Sequence, residues 1–240
     1  MISVLVPTFG DSPFLPATIA SIHAQTYKDF ELFVVEDTAG DMVRNWNRCL
    51  DLGTGDWVKF VHQDDLLEPT CFERLAASKA EIVACKRDIL FANNVHPDSA
   101  LRFLEKVAKY SIERSYDPMK FAARIVRNPC RNQIGDPSAV MFRRRCISRY
   151  GHFNSNLCQI ADWEYFARIA CNEGIDFINE PLAMFRVHKG SASASARQED
   201  LDREGAIMLL QLCSNSHYAP VREAAIRFGV RLVDSQLISD

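Results

Sequence analysis

Closely spaced cysteine pairs, long apolar runs and a strong net charge are all absent from this 240-residue sequence. Its eight cysteines are scattered without a C-x-x-C pair, which argues against a zinc or disulfide framework and predicts buried thiols of a reducing compartment. No apolar run approaches the roughly 20 residues of a membrane span, and the short run Ile2–Pro7 lacks the basic flank of a signal peptide. We therefore expect a cytoplasmic, soluble protein that is peripheral to a membrane at most.

Charge and composition narrow the class further. A net charge of −3 and a pI near 6.1 argue against a general nucleic-acid binder, and the local cluster Arg143–Arg145 is typical of a solvated face. A hydrophobic content of 48% supports a sizeable core, in one large domain or in one domain plus an extension. We find no internal repeat.

Strand-type and helix-type segments alternate through the first third of the chain. Short apolar runs predict strands, and the segments between them carry apolar residues at helical spacing. The predicted strands are Ile2–Val6, Phe30–Val35 and Trp57–Val61. βαβ units with right-handed crossovers place the ends of such strands on one edge of a parallel sheet. Thr8, Asp37 and Asp65 are therefore expected to converge.

Two adjacent carboxylates, Asp64 and Asp65, follow the third strand in the stretch Trp57–Glu68. Ligands of an open α/β sheet bind outside the carboxyl ends of its strands, so this pair is expected to face a crevice. Neighbouring like charges favour a positive partner, and a divalent cation held together with a substrate's phosphates is the usual one. The alternative interpretation is a solvated turn that leads into the next helix at Glu68-Pro69.

The second half of the chain has a looser pattern. It predicts a loop at Phe91–Asp98 and a helix that begins at Asp162, where the alternative to a functional role is an N-cap. Further strands are expected at Ile82–Cys85, Ala139–Phe142, Ile175–Ile178 and Leu182–Val187. After a small-residue linker, Ser191–Ala196, the helices Glu199–Cys213 and Pro220–Leu237 could pack on the domain, pair with a second subunit or lie on a membrane surface.

Several motifs occur together in one order. The opening ISVLVPTF is followed by Gln25-Thr26-Tyr27, Asn47, Gly55 and the stretch HQDD. Later come Met141-Phe-Arg-Arg, Ala161-Asp-Trp-Glu with Arg168, and Phe185-Arg-Val-His188. With these pieces the chain resembles the bacterial family 2 glycosyltransferases of the GT-A fold, from Ile2 to about Ser193.

The resemblance implies an α/β fold, with a mostly parallel central sheet flanked by helices and a C-terminal helical extension. Residues 1–190 would form the GT-A domain, with a nucleotide-binding half at 1–90 and an acceptor-binding half at 91–190, and residues 191–240 would form the linker and the extension. The implied enzyme is an inverting hexosyltransferase. It would move a sugar from a nucleotide-diphosphate sugar, UDP- or dTDP-linked, to a glycan or lipid-linked acceptor of cell-surface polysaccharide biosynthesis.

The same resemblance assigns a donor-binding role to six residues. Three would line the nucleobase pocket: Pro7, Thr8 and Phe9. Three would complete the nucleotide site: Asp37 at the base, Asp64 at the ribose hydroxyls, and Asn47.

The remaining implied roles concern the metal and the reaction. Asp65 would ligate Mn²⁺ or Mg²⁺, His188 would be a further ligand, and Arg186 would contact the diphosphate. Outside this context, His188 would be read as a lone histidine at a strand end. Asp162 would be the general base that removes the proton of an acceptor hydroxyl, and a single base suffices for an inverting displacement.

Departures from the family pattern keep alternatives open. Ala161 replaces the usual glutamate before the base, so Asp162 and Glu164 are both available. Together with the altered loop Glu36–Ala39, this motivates a second hypothesis, a binding or regulatory module that transfers no sugar. A sugar nucleotidyltransferase is disfavoured, because no glycine-rich G-x-G-T-x-x-x-P-K loop follows the first strand.

Overall fold

The structure is a computed structural model that describes residues 1–92, 95–190, 197–214 and 219–227. Within these ranges the strands form one seven-stranded sheet in the order β2-β1-β3-β6-β5-β7-β4. The strands are β1 (Ile2–Thr8), β2 (Phe30–Glu36), β3 (Trp57–Phe60), β4 (Leu66–Leu67), β5 (Ile82–Phe91), β6 (Val140–Arg143) and β7 (Asp176–Val187). The helices are α1 (Leu15–His23), α2 (Met42–Leu52), α3 (Cys71–Ala76), α4 (Pro97–Tyr110), α5 (Pro118–Arg127), α6 (Arg145–Tyr150), α7 (Ala161–Glu173), α8 (Gln198–Ser214) and α9 (Ala219–Arg227). The predicted linker at 191–196 and the part of the last predicted helix beyond residue 227 lie outside the described residues.

The first half of the sheet has the arrangement predicted for the first three strands. β1 lies between β2 and β3 and pairs with both in parallel. At its carboxyl end, the Asp37 N–H donates to the Thr8 carbonyl oxygen at 2.7 Å. The Val61 N–H donates to the Leu5 carbonyl oxygen at 2.9 Å and continues the β1–β3 pairing towards Asp65. The predicted convergence of these strand ends is therefore confirmed.

Strand β6 joins the two halves of the sheet, because it pairs antiparallel with both β3 and β5. β5 pairs in parallel with β7, so that β1, β2, β3, β5 and β7 all run in one direction. The predicted fold class, an α/β fold with a mostly parallel sheet, is confirmed.

Two details of the second half differ from the prediction. β5 continues through Phe91, where a loop was expected, and the two strands predicted at 175–178 and 182–187 are the single strand β7. The β5–β7 register shifts on both sides of Lys86, which lies opposite Pro181. This irregularity accommodates a residue that has no N–H to donate, so a proline that looked like a break lies within the strand.

Alternate residues of β3 face two hydrophobic layers, one on each side of the sheet. Val58 and Phe60 join the larger layer, with α2, α5 and α7, whereas Trp57 and Val61 join the smaller one, with α1 and α3. β3 is therefore covered on both faces, as its apolar and aromatic residues predict. All eight cysteines are free thiols, and the buried ones are Cys49, Cys71, Cys85, Cys146, Cys171 and Cys213.

Helices α8 and α9 pack on the domain, which is one of the three arrangements considered for the C-terminal extension. Their buried side chains join the larger layer together with those of α7: Met208, Leu212, Cys213, Val221, Ala224 and Ala225. The two helices therefore belong to the core. No helix in the described ranges is long and apolar enough to cross a bilayer.

The expectation of a solvated face at Arg143–Arg145 is wrong for the central residue. The guanidinium group of Arg144 donates to the carbonyl oxygens of Gly55 and Leu50, at 2.7 and 3.2 Å, and to the Ser3 hydroxyl at 3.2 Å. These hydrogen bonds tie the start of α6 to β1, α2 and the turn before β3.

At Gly55, the backbone of the turn before β3 approaches the backbone of β1 closely. A Cβ on this residue would lie 2.8 Å from Ser3 N and 2.9 Å from the Met1 carbonyl oxygen, so one backbone segment would have to move. We expect Gly55→Ala to lower the free energy of unfolding by about 2–4 kcal/mol, measured by urea denaturation.

The matched control is Gly40→Ala, because Gly40 has open space around it and a φ of +70°. It is expected to lower the free energy of unfolding by only about 1–2 kcal/mol, because alanine is strained in the left-handed conformation. Equal losses in the two variants would contradict the steric explanation for Gly55.

Candidate active site

The side chain of Asp65 lies where the turn after β3 meets β7 and the 3-10 helix Pro137–Ala139. It is fully buried. Oδ1 accepts a hydrogen bond from the Arg186 N–H at 2.9 Å, and Oδ2 accepts one from the Ser138 hydroxyl at 2.5 Å. Burial raises the pKa of Asp65 well above its ordinary value, and the charges of Asp136 and Asp64 add to the rise. Both carboxylate oxygens of Asp65, the predicted metal ligand, therefore accept hydrogen bonds from the protein.

The neighbouring carboxylate, Asp64, remains accessible. Its Oδ2 lies 2.9 Å from His188 Nε2, and the two side chains are 20% and 18% exposed. The Gly190 N–H donates to His188 Nδ1 at 3.1 Å. Arg186 Nε donates to the Asp64 carbonyl oxygen at 2.8 Å, and its guanidinium carbon lies 4.5 Å from the centre of the Phe14 ring. The structure thus brings the predicted residues Asp64, Arg186 and His188 together.

Asp37 shapes the loop that follows β2. Its Oδ1 accepts hydrogen bonds from the N–H groups of Ala39 and Gly40, at 3.0 and 2.9 Å. Gly40 has a φ of +70°, which a glycine adopts without steric cost and which lets the loop turn back towards Asp37. The loop that departs from the family pattern therefore still holds a carboxylate at the strand end.

The segment after β1 presents an aromatic ring to solvent. Pro7 and Thr8 are buried, whereas Phe9 is 65% exposed. The side-chain amide of Gln63 accepts a hydrogen bond from the Phe9 N–H at 3.0 Å and donates one to the Phe9 carbonyl oxygen at 3.3 Å. Gln63, for which the sequence analysis predicted no role, thus fixes the Phe9 backbone beside the acidic pair.

Asn47 connects α2 to the loop before α7. Its side-chain amide donates to the Phe153 carbonyl oxygen at 3.0 Å and accepts from the Phe153 N–H at 2.9 Å. Both polar groups are therefore used within the protein, and the nucleotide contact of Asn47 stays a prediction.

Asp162 lies in the first turn of α7, next to the loop that precedes β6. Its Oδ1 accepts from the Trp163 N–H at 2.7 Å and its Oδ2 from the Asn132 amide at 3.1 Å. Burial raises its pKa to about 7, against the lowering effect of the Trp163 N–H, and the charge of Asp136 adds to the rise. A carboxylate with this pKa can accept a proton near neutral pH.

Glu164, the alternative base, lies on a different face of α7, because residues two apart on a helix do not face each other. It is 3% exposed, and its carboxylate is paired with Arg168 Nε at 2.8 Å. It contributes to a cavity of about 330 Å³ lined by Tyr150, His152, Asn154, Glu164, Arg168, Gln211 and Leu212. Because none of the lining residues is one of the strand-end acids, the geometry favours Asp162.

Three residues near the acidic pair were missed by the sequence analysis. Asp136 influences the pKa of both Asp65 and Asp162, which places its charge near both of them. Arg87 Nε lies 3.0 Å from Asp136 Oδ2. Within the described ranges, the two Asp136 oxygens and His62 Nε2 are buried without a well-aligned hydrogen bond. The turn Gly135-Asp136-Pro137 was visible in the sequence, but the contacts of Asp136 depend on β5, nearly fifty residues earlier.

The side chains of Asp64 and His188 fit a divalent cation that is held mainly by the phosphates of a bound substrate. No group of three or more His, Cys, Asp or Glu side chains close enough to hold a metal occurs in the part of the chain that the structure describes. Asp64 and His188 supply one carboxylate and one imidazole, both partly exposed. Mg²⁺ is commonly bound by one or two carboxylates together with substrate phosphates, and imidazole also suits a transition metal.

Comparisons with known proteins bear on the family and on the fold. The sequence model described as Glycosyl transferase family 2 matches residues 3–43. A protein of Mycobacterium bovis (strain BCG / Pasteur 1173P2) named PGL/p-HBAD biosynthesis glycosyltransferase is 24% identical over 232 residues, covering 85% of this chain and 83% of that protein.

Two solved structures share the fold. S. aureus TarS 1-349 in complex with UDP-GlcNAc has a TM-score of 0.65 at 16% identity, with 95% of this chain and 73% of that chain covered. The mannosyltransferase PcManGT from Pyrobaculum calidifontis, in complex with GDP-Man and Mn²⁺, has a TM-score of 0.57 at 15% identity, with 95% and 70% covered. In a second TarS structure the chain is longer, and this chain spans 44% of it.

The fold is that of GT-A glycosyltransferase structures such as TarS. The matched sequence model and the glycosyltransferase relatives support a family 2 glycosyltransferase.

The raised pKa of Asp162 predicts a pH dependence. Because a general base must be ionised, we expect kcat to be constant above about pH 7 and to fall about tenfold per pH unit below it. Asp136→Asn removes a negative charge that raises this pKa. The acidic limb of the kcat–pH profile, where kcat falls, is therefore expected to move to lower pH.

The control for this measurement is Asp98→Asn, which changes a carboxylate that is 73% exposed and should leave the limb in place. An Asp136→Asn profile that coincides with that of the wild type would contradict the assignment of the limb to Asp162.

Proposed function

We propose that the protein is an inverting, metal-dependent transferase that moves a sugar from a nucleotide-diphosphate sugar to a hydroxyl group. The observation that carries the proposal is the division of the site into two acidic ends. Asp64 with His188 forms one end, and Asp162, with a pKa of about 7, forms the other. A direct displacement needs a cationic site for the leaving diphosphate and one base for the attacking hydroxyl.

The nucleotide would lie across the carboxyl ends of β1 and β2. The exposed ring of Phe9 would pack on the base, and Asp37 would accept a hydrogen bond from it, while the buried Pro7 and Thr8 shape the floor. We infer a UDP- or dTDP-sugar. The UDP-GlcNAc of the TarS complex supports this choice, and the GDP-Man of the PcManGT complex is the contrasting case that the experiment below includes.

Asp64 and His188 would hold Mn²⁺ or Mg²⁺ against the donor, and Arg186 would contact its phosphates. When bound, the ion supplies Lewis-acid stabilisation of the charge on the leaving nucleoside diphosphate. This proposal moves the metal role expected of Asp65 to Asp64, because Asp64 is accessible and lies beside His188 whereas Asp65 is fully buried. The Mn²⁺ of the PcManGT complex supports a divalent ion.

Asp162 would accept the proton of the acceptor hydroxyl. The hydroxyl oxygen forms a bond to the anomeric carbon while the bond to the diphosphate breaks, and the leaving group takes the electron pair. Attack opposite the leaving group inverts the anomeric centre, so one base is enough. The hydrogen bond from Asn132 orients Asp162 Oδ2 in the resting protein.

The transferred sugar would lie beside Asp136 and His62, between the two ends. Both residues carry buried polar atoms that have no well-aligned hydrogen bond in the described residues. Such atoms are costly unless a ligand satisfies them, and sugar hydroxyls can both donate and accept. Arg87, paired with Asp136, would hold that carboxylate in place.

The acceptor half, residues 91–190, would bind a glycan or a lipid-linked acceptor of bacterial cell-surface polysaccharide biosynthesis, at the cytoplasmic face of the membrane. The relative's name, PGL/p-HBAD biosynthesis glycosyltransferase, supports a biosynthetic transfer. The eight free thiols support a reducing compartment.

Binding of the nucleotide tests the proposal. We expect titration calorimetry to show that UDP or dTDP, rather than GDP, binds the wild type with Mn²⁺ and dissociates when the metal is chelated. His188→Gln should weaken this binding at least about tenfold, because it removes one of two protein ligands of the ion.

His96→Gln is the matched control, because His96 is 72% exposed and lies in another part of the chain. No binding of any of the three nucleotides to the folded wild type would contradict the proposal and would favour a binding module for some other ligand.

A further inference from the structure

Two neighbouring residues of helix α8 contact the two segments that hold Asp162. Glu204 is 5% exposed, and its carboxylate points to the loop before α7. It accepts hydrogen bonds from the N–H groups of Cys158, Gln159 and Ile160, at 3.1, 2.8 and 3.1 Å. Helix α7 begins at the next residue, and its N-cap residue, Ile160, makes no side-chain hydrogen bond to it.

Gly205 contacts the second segment, the loop that leads to Asn132. A Cβ on Gly205 would lie 2.7 Å from Cys130 Cβ and 2.8 Å from Cys130 N, so α8 and this loop touch backbone to backbone. Two residues later, the Asn132 amide donates to Asp162 Oδ2 at 3.1 Å and to the Gly135 carbonyl oxygen at 2.9 Å. Both supports of Asp162 therefore rest on one turn of α8.

The hydrogen bonds from the backbone N–H groups to the Glu204 carboxylate are stronger than those between neutral groups. A carboxylate that accepts several backbone N–H groups forms charge-assisted hydrogen bonds, and a negative charge next to a helix N-terminus is further stabilised by the helix dipole. Removing it would leave three backbone N–H groups without their acceptor beside α7. The first turn of α7, which carries Asp162, would then lose its fixed position.

We propose that Glu204 is a positioning residue for the general base, and that α8 is a structural part of the active site. This inference rests on the proposed function, in which Asp162 accepts the proton of the acceptor. Glu204 touches neither the donor end nor the reacting atoms, and it acts through the backbone of residues 158–160. Its effect should therefore be confined to the step that uses Asp162.

The test compares Glu204→Gln with Glu199→Gln, an exposed glutamate on the same helix. We expect Glu204→Gln to lower kcat about 10- to 100-fold, as small displacements of a reacting group do, while the Kd of the nucleotide with Mn²⁺ stays unchanged. Glu199→Gln should leave both quantities unchanged. An unaltered kcat in folded Glu204→Gln would overturn the inference.

A double-mutant cycle separates positioning from general loosening of the fold. If Glu204 acts through Asp162, Glu204→Gln should cause no further loss of the residual rate in an Asp162→Asn background. An equal loss in both backgrounds would show a merely structural role. If Glu204→Gln does not fold, Gly205→Ala provides the second variant, because it displaces Cys130 and through it Asn132, and the same cycle applies.

The cycle also distinguishes this inference from the proposed function. Full activity of Asp162→Asn would remove the base assignment and, with it, the role of Glu204. Loss of activity in Asp162→Asn with a normal Glu204→Gln would overturn only the role of Glu204.

Discussion

The arrangement of the site depends on the buried carboxyl group of Asp65. Its hydrogen bonds to the Ser138 hydroxyl and the Arg186 N–H join three segments that are far apart in the sequence: the turn after β3, the 3-10 helix before β6, and β7. A buried carboxyl group without these hydrogen-bond partners would be costly in free energy. Burial of Asp65 therefore requires the three segments to stay in contact. The fully buried Lys59 supports the same point, because its Nζ donates to the carbonyl oxygens of Ser138 and Val140.

The two adjacent aspartates avoid their mutual repulsion by occupying different environments. Asp65 lies in the interior, where burial raises its pKa, and Asp64 stays at the surface beside His188. Because Arg186 N binds Asp65 and Arg186 Nε binds the Asp64 carbonyl oxygen, one residue of β7 positions both. The carboxylate of Asp64 is then accessible to an ion. Asp65, which looked equivalent in the sequence, stabilises the fold. The two adjacent acids therefore differ in burial, since Asp65 is fully buried and Asp64 is partly exposed.

Local patterns and the family resemblance predicted the strands, their common edge and most of the residues at it. Apolar runs mark β1, β2 and β3, and right-handed crossovers then require their ends to meet. The parts that were missed depend on contacts between distant residues. Asn47 binds the backbone of Phe153, Asp136 pairs with Arg87, and Glu204 caps a helix that begins more than forty residues earlier. The periodicity of a sequence does not reveal such contacts. The difference between Asp64 and Asp65 likewise depends on burial, which two identical neighbours in a sequence do not reveal.

The central claim is that Asp64, and not Asp65, faces the metal and the diphosphate. Electron paramagnetic resonance of Mn²⁺, titrated into Asp64→Asn and Asp65→Asn with the bound nucleoside diphosphate present, tests it directly, since both substitutions keep the side-chain size. We expect the nucleotide-dependent change in the Mn²⁺ signal to be lost in Asp64→Asn and kept in Asp65→Asn, which should unfold at a lower temperature. Loss of this change in a folded Asp65→Asn, with the change intact in Asp64→Asn, would instead assign the metal to Asp65.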